Sequence, residues 1–161
     1  MNSVNFIKDY CGWLSNFDIF LTLELEPSVY YVINDTTSMA KMIEEVDAPN
    51  LFANIDIGHL AITREPPRTL EKLKDRVLHV HISDNDGKAH ANWIIGRGVT
   101  QVPDYLRKLN KMGIDKTCNR YNEAAVASLE LGEIGQKVQD PDQYVRESLE
   151  YLSENVPEIT K

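Results

Sequence analysis

Four short segments of the chain alternate between apolar and polar residues, with the period of two that is typical of β-strands. They cover residues 20–27, 52–59, 77–84 and 125–132. Each is followed by a loop and then by a segment whose apolar residues recur every three or four positions, as on one face of a helix. A further helical pattern, at residues 4–17, precedes them all. This order predicts right-handed βαβ crossovers and a parallel sheet.

Capping signals support the helices that follow the strands. The helix after the first strand is preceded by three capping candidates at residues 35–37, and a short helix at residues 69–75 follows the second strand. Pro103 suits the first turn of the third helix, and Asp140 with Pro141 opens the fourth. We therefore expect four consecutive β/α units after the first helix.

The alternation also predicts how the sheet closes. One face of every strand is apolar, whereas the other carries acidic, imidazole and small polar side chains. A parallel sheet is normally covered on both faces, so a solvated polar face is not the natural solution. A barrel, with apolar residues outside under the helices, satisfies both requirements. Active sites of (β/α)₈ barrels lie at the carboxyl ends of the strands. The candidates there are Glu26, Asp56, His81 and Glu130.

Length and charge limit the alternatives. The 161 residues suffice for one domain, expected to span residues 1–161. A formal charge of −8 argues against a nucleic-acid partner. We expect no membrane segment, because no apolar run reaches the roughly 20 residues of a membrane span. The two cysteines, Cys11 and Cys118, are expected to be free thiols of a cytoplasmic protein.

Three carboxylates and one neutral imidazole that face one another repel unless a cation joins them. The oxygen-rich set formed by Glu26, Asp56, His81 and Glu130 suits Mn²⁺ or Mg²⁺ and tolerates Co²⁺ or Zn²⁺. Such a cation can bind two adjacent oxygens of a hydroxy-ketone and stabilise an enediolate. Glu26 and Glu130 are then candidates for moving a proton on or off carbon.

Several motifs occur together in a recognisable order. They are LELEP, NIDIGH, HVHISDNDG with H-x-x-x-x-x-G-x-G following, SLELG and DPDQYVRESLEYL. In this respect the chain resembles the sugar phosphate isomerase/epimerase family, within the xylose isomerase-like TIM-barrel group. The resemblance implies that Glu26, Asp56, His81 and Glu130 bind a metal, and that Glu26 and Glu130 are also the acid/base pair.

The resemblance assigns further residues to the site. His59 and His90 resemble histidines that contact substrate or a second metal. Asp84, in the turn after the third strand, is a candidate for contacting substrate or orienting a ligand. Gly96-Arg97-Gly98 stands where relatives read Gly-Glu-Gly, which reverses the charge of a polar contact. Of the other polar strand residues, we expect Glu24 to form an internal ion pair or face solvent, and His79 to be hydrogen-bonded inside the barrel.

The resemblance covers strands five to eight of a barrel that typically needs about 250 residues. A half-barrel has two open sheet edges, so we expect a homo-oligomer or a complementary N-terminal half-barrel as partner. The leading hypothesis is a metal-dependent isomerase or epimerase of a small sugar or hydroxy-ketone. The alternatives are a catalytically inactive half-barrel, either truncated or requiring a partner, and an endonuclease IV-like phosphodiesterase. His59, Asp86 and His90 favour the last, and the acidic charge disfavours it.

Overall fold

The computed structural model describes residues 2–120, 126–132 and 140–159. Within them lies a four-stranded, wholly parallel sheet with the strand order β1-β2-β3-β4. The strands are β1 (Leu21–Glu24), β2 (Leu51–Asp56), β3 (Val77–Ile82) and β4 (Val126–Leu129). The predicted α/β fold with four parallel strands is therefore confirmed. Chain order equals spatial order, as in a segment of a barrel.

Six α-helices accompany these strands in the described part of the chain. They are α1 (Ser3–Leu14), α2 (Thr36–Val46), α3 (Ile57–Ile62), α4 (Val102–Met112), α5 (Ile114–Arg120) and α6 (Pro141–Asn155). A short 3₁₀ helix at Ser15–Phe17 extends α1. A second one, at Pro67–Leu73, stands where a helix was expected at residues 69–75. Neither α3 nor α5 was predicted. The predicted first residue of the last strand, Ala125, and the side chain of Cys118 lie outside the described residues.

The helix starts agree with the capping signals. The Asp35 carboxylate accepts a hydrogen bond from the Ser38 backbone N–H at 2.6 Å, and the Ser38 hydroxyl accepts one from the Asp35 backbone N–H. These two bonds make a capping box. At α6 the Asp140 carboxylate accepts from the backbone N–H of Gln143 at 3.0 Å. Each cap supplies an acceptor for an N–H group that the helix itself leaves unpaired.

The second strand ends earlier than its pattern predicts. Residues 57–59, the end of NIDIGH, form the first turn of α3 rather than a continuation of β2. The cause is Asp56, whose carboxylate Oδ1 accepts a hydrogen bond from the His59 backbone N–H at 3.0 Å and so caps the helix. The early start of α3 places the His59 side chain directly beside the end of the strand.

The hydrophobic core lies between the sheet and the helices. Every residue of β2 is buried, and Leu51 and Ile55 on it are fully inaccessible, as are Met39 and Val46 of α2. Burying an aliphatic side chain of this size contributes about 1.5–3 kcal/mol. Among the described helices, none combines the length and the apolar character needed to span a membrane. The core thus fixes the strands whose carboxyl ends carry the polar side chains.

Candidate metal centre

One polar cluster joins the carboxyl ends of all four strands. Glu24 ends β1, Asp56 ends β2, His81 lies near the end of β3, and Glu130 follows β4. Each offers one ligand atom, and these four atoms lie within 4.8 Å of one another. His81 Nδ1 is 3.0 Å from Glu24 Oε1 and 3.0 Å from Glu130 Oε2. We call these four residues the quartet.

The quartet differs from the predicted ligand set at one residue. Asp56, His81 and Glu130 come together as predicted, but Glu24 stands where Glu26 was expected. The chain leaves the sheet after Glu24, since the Glu26 backbone N–H donates to the Ile33 carbonyl at 3.0 Å. The Glu26 side chain therefore lies near His59 and His90 instead. The internal partner of Glu24 is His81, whose Nδ1 lies 3.0 Å from Glu24 Oε1.

The two oxygens of the buried Asp56 carboxylate have different surroundings. Oδ1 accepts hydrogen bonds from the His59 backbone N–H at 3.0 Å and from the Ser83 hydroxyl at 2.6 Å. Oδ2 is buried and has no hydrogen-bond partner among the described residues. A carboxylate oxygen without a donor is costly to bury, and a cation is the partner that would satisfy it. The quartet therefore fits a divalent metal ion.

The surroundings of Glu130 affect its protonation. Burial and then the neighbouring carboxylate of Asp56 raise the pKa of Glu130 above its ordinary value. The side-chain amide of Asn92 opposes this shift by donating a hydrogen bond to Oε1 at 2.9 Å. Nothing in the sequence singles out Asn92, because an asparagine in a polar loop gives no signal of its own.

A second group of possible ligands contains Glu26, His59 and His90, whose ligand atoms again lie within 4.8 Å. His59 is buried, and its Nδ1 donates to the Leu25 carbonyl at 2.8 Å. In a neutral ring this bond leaves Nε2 as the acceptor, and Nε2 is 3.1 Å from His90 Nε2. His90 Nε2 also lies 3.6 Å from Glu130 Oε1, so the second group adjoins the quartet. His59 and His90, both predicted from the sequence, therefore lie beside the quartet.

Asp84 belongs to neither group. Its fully buried carboxylate accepts four hydrogen bonds from backbone N–H groups of the loop after β3, at 2.9–3.1 Å. The donors are Asn85, Gly96, Gly98 and Thr100. A β-carbon at Gly98 would collide with the Asp84 carboxylate, which explains glycine at that position. In the structure, Asp84 organises the loop that carries His90 and Asn92.

Two further residues clarify the surroundings of the quartet. Arg97 forms an ion pair with Glu147 of α6, so its charge is balanced by that helix. His79 lies one pleat below His81, and its Nε2 is 3.2 Å from the Ser128 hydroxyl, which confirms the expected hydrogen bond. Burial, followed by the nearby imidazole of His81, lowers the pKa of His79. His79 is therefore suited to remaining neutral beneath the site.

Comparison with known proteins agrees with this architecture. The family model described as "Xylose isomerase-like TIM barrel" matches residues 6–155. The chain belongs to the xylose isomerase-like TIM barrel family. Fructoselysine 3-epimerase of Shigella flexneri is a relative with 28% identity over 154 residues, which are 94% of this chain and 52% of that protein. The chain spans about half the length of the curated relatives it matches.

Solved structures share the fold. L-ribulose 3-epimerase superposes with a TM-score of 0.79 at 14% identity, over 98% of this chain and 54% of that chain. The IOLI protein, whose crystal structure contains a zinc atom, superposes with a TM-score of 0.78 at 15% identity, over 98% of this chain and 56% of that chain. At these identities the likeness establishes a fold shared with about half of each of those chains and leaves the chemistry to the residues themselves.

Proposed function

We propose that the chain supplies the metal centre of a sugar epimerase or isomerase in the xylose isomerase-like TIM barrel family. The observation that carries the proposal is the convergence of Glu24, Asp56, His81 and Glu130 from four strand ends. The oxygen-rich set favours Mn²⁺ or Mg²⁺, and its single imidazole also permits Co²⁺ or Zn²⁺. The epimerases among its relatives favour a small sugar or hydroxy-ketone as substrate.

The chemistry divides between the cation and the glutamates. A divalent cation at the quartet would act as a Lewis acid that polarises a carbonyl group. Glu130, which follows the fourth strand, would accept a proton from the carbon next to that carbonyl. Glu24, on a different strand, would return a proton to that carbon. Glu24 replaces Glu26 in this role because the quartet contains Glu24. His59 and His90, which belong to the second group of possible ligands, would bind substrate hydroxyl groups.

Metal binding is the first test. Mn²⁺ is titrated by calorimetry into metal-stripped protein, beside Glu24→Gln and Glu26→Gln as a matched pair. We expect one tight site that Glu24→Gln loses and Glu26→Gln retains. Loss in Glu26→Gln with retention in Glu24→Gln would instead support the ligand set expected from sequence. Absence of saturable binding in the wild type would refute the metal centre.

Proton transfer is tested by exchange of carbon-bound hydrogen in D₂O. The panel contains ketoses, fructoselysine and hydroxypyruvate, and exchange is followed by proton NMR with and without Mn²⁺. We expect metal-dependent exchange in at least one substrate and none in Glu130→Gln. Tight Mn²⁺ binding without exchange across the panel would support the catalytically inactive half-barrel instead.

The proposal includes completion of the barrel by four further β/α units. On α1 and the 3₁₀ turn after it, Phe6, Tyr10, Trp13 and Phe17 form a stack of rings with centroids 5.1–6.3 Å apart. These four side chains are 42–59% exposed, on the segment that precedes β1, an edge strand of the described sheet. Exposed apolar surface and an unpaired strand edge are both typical of an interface.

We propose that the four further units come from a second copy or from a complementary N-terminal half-barrel. Sedimentation velocity separates the two. A dimer that Trp13→Lys dissociates would identify a second copy, whereas a monomer that binds a co-expressed N-terminal half of a relative would identify the complementary half. A chain that neither dimerises nor binds the co-expressed half would refute this part of the proposal. Cys11, a free buried thiol, agrees with the cytoplasmic location that we propose.

A further inference from the structure

Asn92 is bonded twice to the segment that follows β4. Its side-chain amide donates to Glu130 Oε1 at 2.9 Å, and its backbone carbonyl accepts from the Gly132 N–H at 2.8 Å. The residue is 7% exposed, and its backbone has φ +48°, in the left-handed region. The two bonds hold the loop after β3 against the end of β4, directly beside a member of the quartet.

The two carboxylate oxygens of Glu130 have different contacts. Asn92 occupies Oε1, while Oε2 lies 3.0 Å from His81 Nδ1, toward the rest of the quartet. We propose that Asn92 is a positioning residue, which fixes the carboxylate of Glu130 so that Oε2 is the oxygen presented to a metal ion. The inference rests on the proposed metal centre for its consequence, but the orienting contact itself exists without metal.

The backbone conformation alone would also explain an asparagine at this position. Asparagine is one of the residues that tolerate the left-handed region. Two observations go beyond that explanation. The side-chain amide of Asn92 donates to the Glu130 carboxylate, a contact that the backbone conformation does not require. The loop is also anchored next to Asn92, because the Trp93 backbone N–H donates to the Asp84 carbonyl at 2.8 Å.

Such anchoring means that the amide donor is held in place before any metal binds. Hydrogen bonds from outer residues to metal ligands orient those ligands, and their loss typically costs 10–100-fold in metal affinity. Glycine is the informative replacement, because it adopts the left-handed conformation readily and removes the amide. Asp47 provides a matched control, since it has φ +49° and is exposed at the end of α2.

The contact is tested first in metal-free protein by ¹⁵N NMR. The side-chain NH₂ pair of Asn92 is identified as the pair that disappears in Asn92→Gly. We expect this pair to shift in Glu130→Ala and to keep its position in Glu26→Ala, which removes a carboxylate from the adjoining group. A pair that is insensitive to Glu130→Ala would overturn the inference, whether or not the protein binds metal.

The consequence is tested by titrating Mn²⁺ into Asn92→Gly and Asp47→Gly. We expect Asn92→Gly to bind about 10–100-fold more weakly than the wild type, with its metal-free melting temperature close to that of Asp47→Gly. The absorption bands of bound Co²⁺ should also change in Asn92→Gly alone. Wild-type affinity in Asn92→Gly would overturn the inference. Failure of the wild type itself to bind metal would refute the proposed function and leave the NMR result to decide the contact.

Discussion

Replacing Asp84 by asparagine keeps the size of the side chain and converts one carboxylate oxygen into an NH₂ group. Each oxygen accepts two backbone hydrogen bonds: Oδ2 from Gly96 and Gly98, and Oδ1 from Asn85 and Thr100. Whichever oxygen is replaced, two N–H donors then face another donor. The side chain is fully buried, so water cannot take over without movement of the loop.

The size of the effect follows from the bonds that are lost. A hydrogen bond to a charged group contributes about 1.5–3 kcal/mol, so two of them contribute about 3–6 kcal/mol. Movement of the loop toward water recovers part of this, and we expect Asp84→Asn to lower the free energy of unfolding by about 3–5 kcal/mol. Since natural domains have about 5–15 kcal/mol in total, the variant should be close to unfolding.

Urea unfolding, followed by circular dichroism and by tryptophan fluorescence, measures the loss. Asp86→Asn is the matched control, because the Asp86 carboxylate also accepts two backbone N–H bonds, from Lys88 and Ala89, but does so at the exposed surface. We expect a much smaller change in this control. An Asp84→Asn variant that unfolds at the wild-type urea concentration would refute the reasoning, because the four N–H groups would then not depend on the carboxylate.

Three further predictions concern packing and pH. Burial raises the pKa of Tyr105 to about 12, so from pH 10 upward the unfolded chain loses this proton before the folded protein does. Between pH 9 and pH 11 the wild type should therefore lose more stability in urea unfolding than Tyr105→Phe does. An equal loss in the two proteins would contradict this. Gly98→Ala should lower the melting temperature, because a β-carbon there meets the Asp84 carboxylate. Gly12→Ala in α1, where nothing lies within 4 Å of the added β-carbon, should instead stabilise the protein by about 0.5–1 kcal/mol. Equal effects of the two substitutions in thermal unfolding would refute the packing argument. Ile55→Ala in the fully buried strand β2 should cost about 2–5 kcal/mol in urea unfolding, and a loss below 1 kcal/mol would show that β2 is not in the core.

The sequence predicted the parallel sheet because two independent signals agreed. Alternation along the strands gave the faces, and helical patterns between them required parallel crossovers. The prediction failed where one residue serves two elements. Asp56 ends β2 as a polar inward-facing residue and at the same time caps α3, so residues 57–59 continue the strand pattern while being helical. Local periodicity cannot show that a carboxylate is already committed to the next helix.

The hydrogen bonds of Asp84 and Asn92 illustrate a second limit. Asp84 lies in a polar turn, which predicts local chemistry, but its donors at residues 96–100 are more than ten positions away. Asn92 and Glu130 are separated by 38 positions. Such contacts depend on the path of a loop between two strands, and a single sequence contains no pattern that specifies it.

The choice between Glu24 and Glu26 depends on how the sheet curves. Asp56 pairs with His81 and His81 pairs with Ser128 across the strands. Glu24 pairs with Asn54, so an extension of β1 in the same register would place Glu26 in the row of Asp56. A flat sheet would therefore favour Glu26.

The quartet instead runs diagonally across this sheet. Glu24 precedes the row of Asp56 and His81 by two residues, and Glu130 follows Ser128, the last member of that row, by two. In a barrel the strands tilt against the axis, and their register is staggered by about one residue per strand. Side chains at one level of the barrel must therefore come from displaced positions on successive strands. Strand periodicity identifies the inward face, which Glu24 and Glu26 share, but the level along that face depends on the pairing register. The sequence therefore favoured Glu26, whereas the structure brings Glu24 into the quartet.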